Sequence, residues 1–260
     1  MHSADVSSTP EERTPQMNKL NVYDVPLAAN VCNQLLREIP DTPAQWSMAH
    51  VTMNPHAVSL LHRHRKMTEI YAMTKGCGQL EVYGHGADAG GTIRTGNVQI
   101  IKPSYPHRLR NIGMDMLEHL VLAAPHFDPT DVEEVSMDGA AWDFPPVEFP
   151  EIEDCFDGAR IMSYELPREL ETSMAYGWAG NDPHQVKKPH YHKKATEYIF
   201  VVEGWGLIEI NKELHKLRRG DWLRIDPGER HALRRTNDEE YMAVRCIYNP
   251  AFAMDDVYYD

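Results

Sequence analysis

The chain states one pattern twice, and this duplication constrains its fold more than any other feature. HRHRKMTE at residues 62–69 returns as HYHKKATE at residues 190–197, each a His-x-His pair with a glutamate five residues after the second histidine. Asn54-Pro55-His56 matches Asp182-Pro183-His184, and Gly76-x-Gly78 matches Gly204-x-Gly206, at the same offset of 128. Gly96, Pro103 and His107 match Gly220, Pro227 and His231 at 124, and Phe127 and Asp131 match Phe252 and Asp256 at 125. The offset changes where GHGADAGGTIRTG in the first half stands against the shorter NKELHKLRRG in the second. A glycine-rich insertion between fixed blocks is expected at a hairpin tip. One His-x-His pair is unremarkable; this many identities in one order make the chain two copies of one unit. Its 260 residues suffice for two domains of ordinary size.

The repeated blocks read as strands. TEIYAM, GQLEVYG, NVQIIKP and LEHLVLAAP in the first half, with TEYIFVVEG, GLIEIN, DWLRIDP and YMAVRCIY in the second, are short and rich in β-branched and aromatic residues. Gly, Pro and Asn bound them, and no 3.6-residue period is sustained nearby. One helix is expected over Val25–Ile39, opened by Pro26 and closed by Pro40. On a strand, side chains two apart share a face. His62 and His64 therefore point together with Arg63 opposite, and His190 and His192 behave alike. Were Glu69 and His107 carried by neighbouring strands of a rolled sheet, four potential ligands would meet inside it. The competing reading of each pair is two packed core histidines; the glutamate, the later histidine and the duplication weigh for a metal.

These blocks resemble the two motifs of the cupin superfamily. The first appears as HRHRKMTEIYAMTKG and HYHKKATEYIFVVEG, the second as GNVQIIKPSYPHRLRN and GDWLRIDPGERHALRR. Both halves lack the glycine that leads the first motif, Tyr105 replaces a glycine of the second, and Arg235 stands where Asn111 stands in the first half. None of these departures removes a ligand. The resemblance implies an all-β protein of two tandem jelly-roll barrels, with a few short helices. It divides the chain into a disordered or extended arm (1–20), barrel 1 (21–132), an acidic proline-rich linker (133–157) and barrel 2 (158–260). It also implies one divalent metal per barrel, held by His62, His64, Glu69 and His107 in the first and by His190, His192, Glu197 and His231 in the second. A homodimer is a further implication.

Three imidazoles and a carboxylate, with no thiolate among them, suit Fe(II) or Mn(II), with Ni, Co or Zn as alternatives. Four protein ligands leave two positions on an octahedral ion, which is the reason to expect chemistry rather than a closed structural site. The leading expectation is a non-heme metal dioxygenase acting on a small oxygen-rich substrate. The alternatives are a redox-neutral isomerase, epimerase or decarboxylase of a sugar-like or keto-acid substrate, and a non-enzymatic small-molecule binder. Tyr71, two residues beyond Glu69 and on its face, is a candidate proton donor, against a plain core tyrosine. His56 and His184 are candidates to orient ligand imidazoles, against simple turn histidines. From residue 187 to 235, twelve Lys or Arg face seven Asp or Glu. Arg224 and Arg235 are the candidates for contacting an anionic substrate, against strand alternation placing them in water.

The net charge of −13 argues against nucleic acid or an anionic membrane as partner. The polar start MHSADVSSTPEERTPQ has no secretory character, so a soluble cytoplasmic protein is expected. Cys32, Cys77, Cys155 and Cys246 are scattered and are read as reduced, mostly buried thiols.

Overall fold

The computed structural model describes residues 18–83, 90–136, 147–154, 159–179, 188–234 and 241–259. The fold is all-β, with four short 3-10 turns among the described residues and no α-helix. In the first half, six strands form one sheet in the order Ala28–Ala29, Leu35–Ile39, Ser47–Met53, Leu117–Ala124, Thr68–Lys75 and Val98–Ile101. Five more face it, in the order Val132–Glu134, His62–His64, His107–Asn111, Cys77–Val82 and Gly91–Arg94. Between them lie Val51, Met53, Met73, Leu80, Ile93, Leu109 and Leu117, the core of the first barrel.

The second half repeats this plan as one curled eleven-stranded sheet. Its long strand Thr196–Ile210 serves both walls. The first part pairs with Met242–Asn249 and Asp221–Ile225, the last part with Glu213–Arg218 and His231–Arg234. The strand turns from one wall to the other at Gly204, where φ is +76° and a Cβ would sit 1.7 Å from the carbonyl oxygen of Tyr241. Only glycine fits there. The repeat-matched Gly76, at φ +84°, separates Thr68–Lys75 from Cys77–Val82 in the first barrel.

The two barrels pack back to back. Along Thr68–Lys75, Tyr71 and Met73 point into the barrel while Ile70 and Ala72 point out, yet all four are buried. The outward set joins Trp46, Leu120 and Leu122 of barrel 1 to Tyr198, Phe200, Trp222 and Ile247 of barrel 2 in one shared core. Strands buried on both faces become near-continuous apolar runs, and LEHLVLAAP and TEYIFVVEG are such runs. At this seam the Glu118 carboxylate accepts hydrogen bonds from Tyr23 Oη (2.6 Å), His50 Nε2 (3.1 Å) and Arg219 Nη2 (2.9 Å).

The helix expected over Val25–Ile39 is not formed. Leu35–Ile39 pairs antiparallel with Ser47–Met53, and a turn at Asn30–Gln34 precedes it. The Asn30 side chain accepts the amides of Cys32 and Gln34 (3.0 and 2.9 Å), so a local Asx turn and a sheet partner outcompete helical propensity. The residues ahead of Val22 also do more than extend into solvent. Asn18–Asn21 forms a strand on Asp221–Ile225, so the start of the described chain completes the second barrel. Val132–Glu134 pairs with His62–His64, and Glu153–Asp154 with Arg160–Tyr164, so ordered strands reach into both ends of the acidic connector. The tip of the glycine-rich insertion and the middle of the connector lie outside the described residues.

Candidate metal centres

Each barrel brings four ligand-type side chains together inside it. In barrel 1 His62 and His64 are buried on either side of the exposed Arg63, as strand alternation requires. His107 stands directly opposite His62 in the neighbouring strand, and Glu69 comes from the facing sheet. One donor atom from each of the four lies within 4.8 Å of all the others. His190, His192, Glu197 and His231 repeat the arrangement in barrel 2, with His231 opposite His190.

Backbone carbonyls orient the rings. His62 Nδ1 donates to Leu60 O (2.8 Å), His107 Nδ1 to Tyr105 O (3.0 Å) and His231 Nδ1 to Glu229 O (2.9 Å), while His192 Nδ1 donates to Asp256 O (3.1 Å). This fixes the tautomer that leaves Nε2 as an acceptor aimed at the centre. His107 Nε2 and His64 Nε2 stand 2.9 and 3.3 Å from Glu69 Oε2; His231 Nε2 stands 2.9 Å from Glu197 Oε2. Burial alone would raise the Glu69 carboxyl, but the His107 and His64 imidazoles beside it outweigh that and hold the group well below the usual carboxylate range. His192 and His231 do the same for Glu197. Burial, with His107 beside it, lowers His62 to about 4, so that ring stays neutral and able to bind a cation. Three imidazoles and one ionised carboxylate fit a divalent first-row metal.

The surroundings of the two centres differ. A cavity of about 600 Å³ reaches His190, Glu197 and His231 in barrel 2. Ile161, Met174, Trp178 and Phe252 supply apolar wall, and no Lys or Arg is among its described lining residues. Tyr248, across the sheet from Glu197, donates its hydroxyl to Glu197 Oε1 at 2.9 Å. In barrel 1 the space beside the ligands is occupied by protein. Cys32 Sγ lies 3.3 Å from His62 Nε2, Tyr71 Oη donates to Glu69 Oε2 at 3.3 Å, and the His119 ring lies 4.7 Å from the Tyr71 ring, tilted by 40°. Burial and the Glu69 charge raise the Tyr71 hydroxyl well above its ordinary value.

Tyr71 is thus beside the first centre, on the face that alternation assigns it. His56 is not beside a ligand: it is exposed, at φ 62° in the turn after Asn54, and backbone carbonyls orient the imidazoles instead. Arg224 does not enter the second cavity. Leu223 and Ile225 take the inward positions of its strand, which leaves Arg224 outside, paired with Asp226 at 2.8 Å. His184 and Arg235 lie outside the described residues. Cys32 and Tyr248 are additions to the residues picked out by the motifs. Tyr248 shares an inward face with Val244 and Cys246, a signal the strand pattern carries, but its meeting with Glu197 depends on cross-strand register. Cys32 and Cys77 are free thiols.

Residues 179–248, which carry the second ligand set, match the family model described as Cupin domain. The chain superposes on Lactobacillus farciminis oxalate decarboxylase in its formate complex with a TM-score of 0.64 at 14% identity, covering 95% of this chain and 89% of that one. The chain has a two-barrel cupin fold. Oxalate decarboxylase from Bacillus subtilis gives 0.62 at 13% identity over 94% and 80% of the two chains. Momordica charantia 7S globulin gives 0.63 at 12% identity over 90% and 84%, so the same cupin fold serves enzymes and a globulin. An uncharacterized protein of Aquifex aeolicus (strain VF5) is 33% identical over 64 residues, 25% of this chain; the match spans about half (51%) of that relative. No helix among the described residues of this chain is long and apolar enough to cross a membrane.

Proposed function

We propose that this chain is a metal-dependent enzyme whose working centre is the one in barrel 2, and that it oxygenates an organic substrate with a largely apolar body. The cavity of about 600 Å³ beside His190, Glu197 and His231 carries this reading. It has room for a ligand well beyond a few waters. Its described walls offer apolar and aromatic surface and no guanidinium or ammonium. A small dianion would lack a countercharge there, while Glu153, Asp154, Ser163, Tyr164 and Ser173 add polar groups to a wall that is mainly apolar. A substrate with an oxygen pair on an apolar or aromatic frame fits best.

A divalent ion held by three imidazoles and a carboxylate supplies Lewis acidity, redox chemistry when it is iron or manganese, and two open coordination positions. The chain's own residues supply the rest. Backbone carbonyls fix the His192 and His231 rings, Tyr248 fixes the Glu197 carboxylate, and Trp178 and Phe252 offer flat surface on which a ring would rest. Residues buried behind the site exclude water from it. Tyr248 Oη is also placed to pass a proton to a substrate oxygen or carbon, and this supports redox-neutral decarboxylation as the second reading.

Oxygen consumption by the iron-loaded protein across a panel of hydroxylated aromatic and aliphatic acids and ketones separates the two. Uptake stoichiometric with product, lost in His190→Ala/His192→Ala, is the expected result. Carbon dioxide release without oxygen uptake would instead establish the decarboxylase.

A further inference from the structure

We propose that Glu153 selects the substrate's charge, so that the barrel 2 cavity takes an oxygen-bearing molecule whose apolar body ends in an amine, carried as ammonium. The inference rests on the reading of that cavity as the substrate site and adds a substrate class to it. Glu153 belongs to the acidic connector and lies outside both repeated motifs.

Strand register aims this carboxylate inward. Residues directly opposite on antiparallel strands share a face. Glu153 stands opposite Ile161, Ile161 opposite Gly177, and Gly177 opposite Val244. All four line the cavity of about 600 Å³ that reaches His190, Glu197 and His231. Asp154 also touches the cavity, but alternation turns it to the other face of the sheet. There it stands opposite Arg160, whose Nε lies 4.0 Å from Asp154 Oδ1. Glu153 has no such partner among the described residues.

Barrel 1 has the same row of four and fills it differently. Ala28 stands opposite Leu36, Leu36 opposite Val51, and Val51 opposite His119. Where barrel 1 has Val51 and His119, barrel 2 has the smaller Gly177 and Val244. Where barrel 1 ends the row in Ala28, barrel 2 ends it in a carboxylate. The edge of this sheet thus forms without a glutamate, and the charge appears in the barrel whose row borders a cavity.

The other charges of the wall are already engaged. Glu197 is held by His231 and by Tyr248, and no Lys or Arg is among the described lining residues. An ammonium complements Glu153 while the hydrocarbon lies along Ile161, Val244 and Ile199 and the oxygen atoms reach the metal ligands. A carboxylate at the same place is repelled. Glu153 is exposed, so this pairing adds little affinity of its own. Its effect is to discriminate between molecules that the cavity already accepts.

Three series of catechols test this, with alkyl tails of two, four and six carbons ending in methyl, ammonium or carboxylate. Each is titrated by calorimetry into the full chain loaded with Zn(II), which is redox-inert. The methyl-ended series is the reference, and its binding should vanish in His190→Ala/His192→Ala. Relative to that reference, Glu153→Gln is expected to weaken the best ammonium probe by about 2- to 5-fold and to strengthen the carboxylate of the same length. High salt should shrink the ammonium preference of the parent. Asp154→Asn, on the other face, should leave the preference in place. Equal shifts in all three series, or the same pattern from Asp154→Asn, overturn the inference and leave the proposed function standing. Binding by none of the three series counts against the cavity as a substrate site and overturns both.

Discussion

Tyr248 and Glu197 stand directly opposite each other on paired strands, with the tyrosine hydroxyl 2.9 Å from Glu197 Oε1. In barrel 1 the residue opposite Glu69 is Ala123, and the tyrosine hydroxyl comes instead from Tyr71, two residues along the glutamate's own strand. At that place barrel 2 has the apolar Ile199. The duplicated scaffold has thus kept its ligands and moved its phenol from one strand to another, which places the second phenol beside the open cavity.

Removing that hydroxyl separates its two roles. Tyr248→Phe keeps the ring and its packing on His192 and Phe252. Elemental analysis should still find two equivalents of metal, while turnover falls by about 10²–10⁴-fold if the hydroxyl transfers a proton. Loss of the second metal equivalent with the hydroxyl would make Tyr248 a positioning residue for Glu197 and nothing more.

Metal content reports on the two quartets separately. His62→Ala/His64→Ala and His190→Ala/His192→Ala should each remove about one equivalent, and the combined variant both. Because strands far apart in sequence supply the ligands of each ion, chelation should also lower the melting temperature, by an amount that grows with metal concentration relative to its Kd. An unchanged metal total in either double variant would refute that quartet.

Much of this architecture is legible in the amino-acid sequence. Both ligand sets sit in repeated blocks, so duplication doubles the signal, and the period-two rule puts His62 and His64 on one face. The same rule also places Arg224 outside, since apolar Leu223 and Ile225 flank it. Three features are less accessible. Val25–Ile39 is apolar enough to suggest a helix, and only the Asn30 turn and the pairing with Ser47–Met53 decide otherwise. Cys32 approaches His62 from 30 residues away through that turn. The back-to-back packing is a relation between two outer faces, and a single strand's sequence shows only that both of its faces are apolar.

The seam between the barrels should be sensitive to acid through Glu118. Burial would raise its carboxyl, but hydrogen bonds from His50 and Tyr23 and the Arg219 charge prevail and bring it to about 2, from an ordinary 4.5. A carboxylate depressed in the folded state stabilises above the unfolded value, and that stability is lost as pH falls from about 4.5 toward 2. Glu118→Gln should therefore lower stability at neutral pH, by no more than about 3 kcal/mol. The gap to the parent should close as the pH is taken down through that window in urea titrations. A gap that persists at low pH would assign the effect to packing rather than to charge.

Gly204 offers a test of how the second centre is built. It sits where the strand Thr196–Ile210 passes from the wall that carries Glu197 to the wall paired with His231–Arg234. Alanine there meets both a left-handed φ of +76° and a carbonyl oxygen 1.7 Å from its Cβ. Relief requires the backbone of Tyr241 or the bend itself to move, and either shifts the His231 side of the ligand set relative to Glu197. Strain of this kind costs about 1–3 kcal/mol for the dihedral angle alone, and the clash adds to it. Gly204→Ala should lower the melting temperature and weaken metal retention by barrel 2, while the metal of barrel 1 stays bound. Gly76→Ala, whose Cβ would come no closer than 3.1 Å to any atom, should be the milder change. Equal losses from the two substitutions, or loss of both metals from Gly204→Ala, would mean that the bend does not set the geometry of the second centre independently of the first.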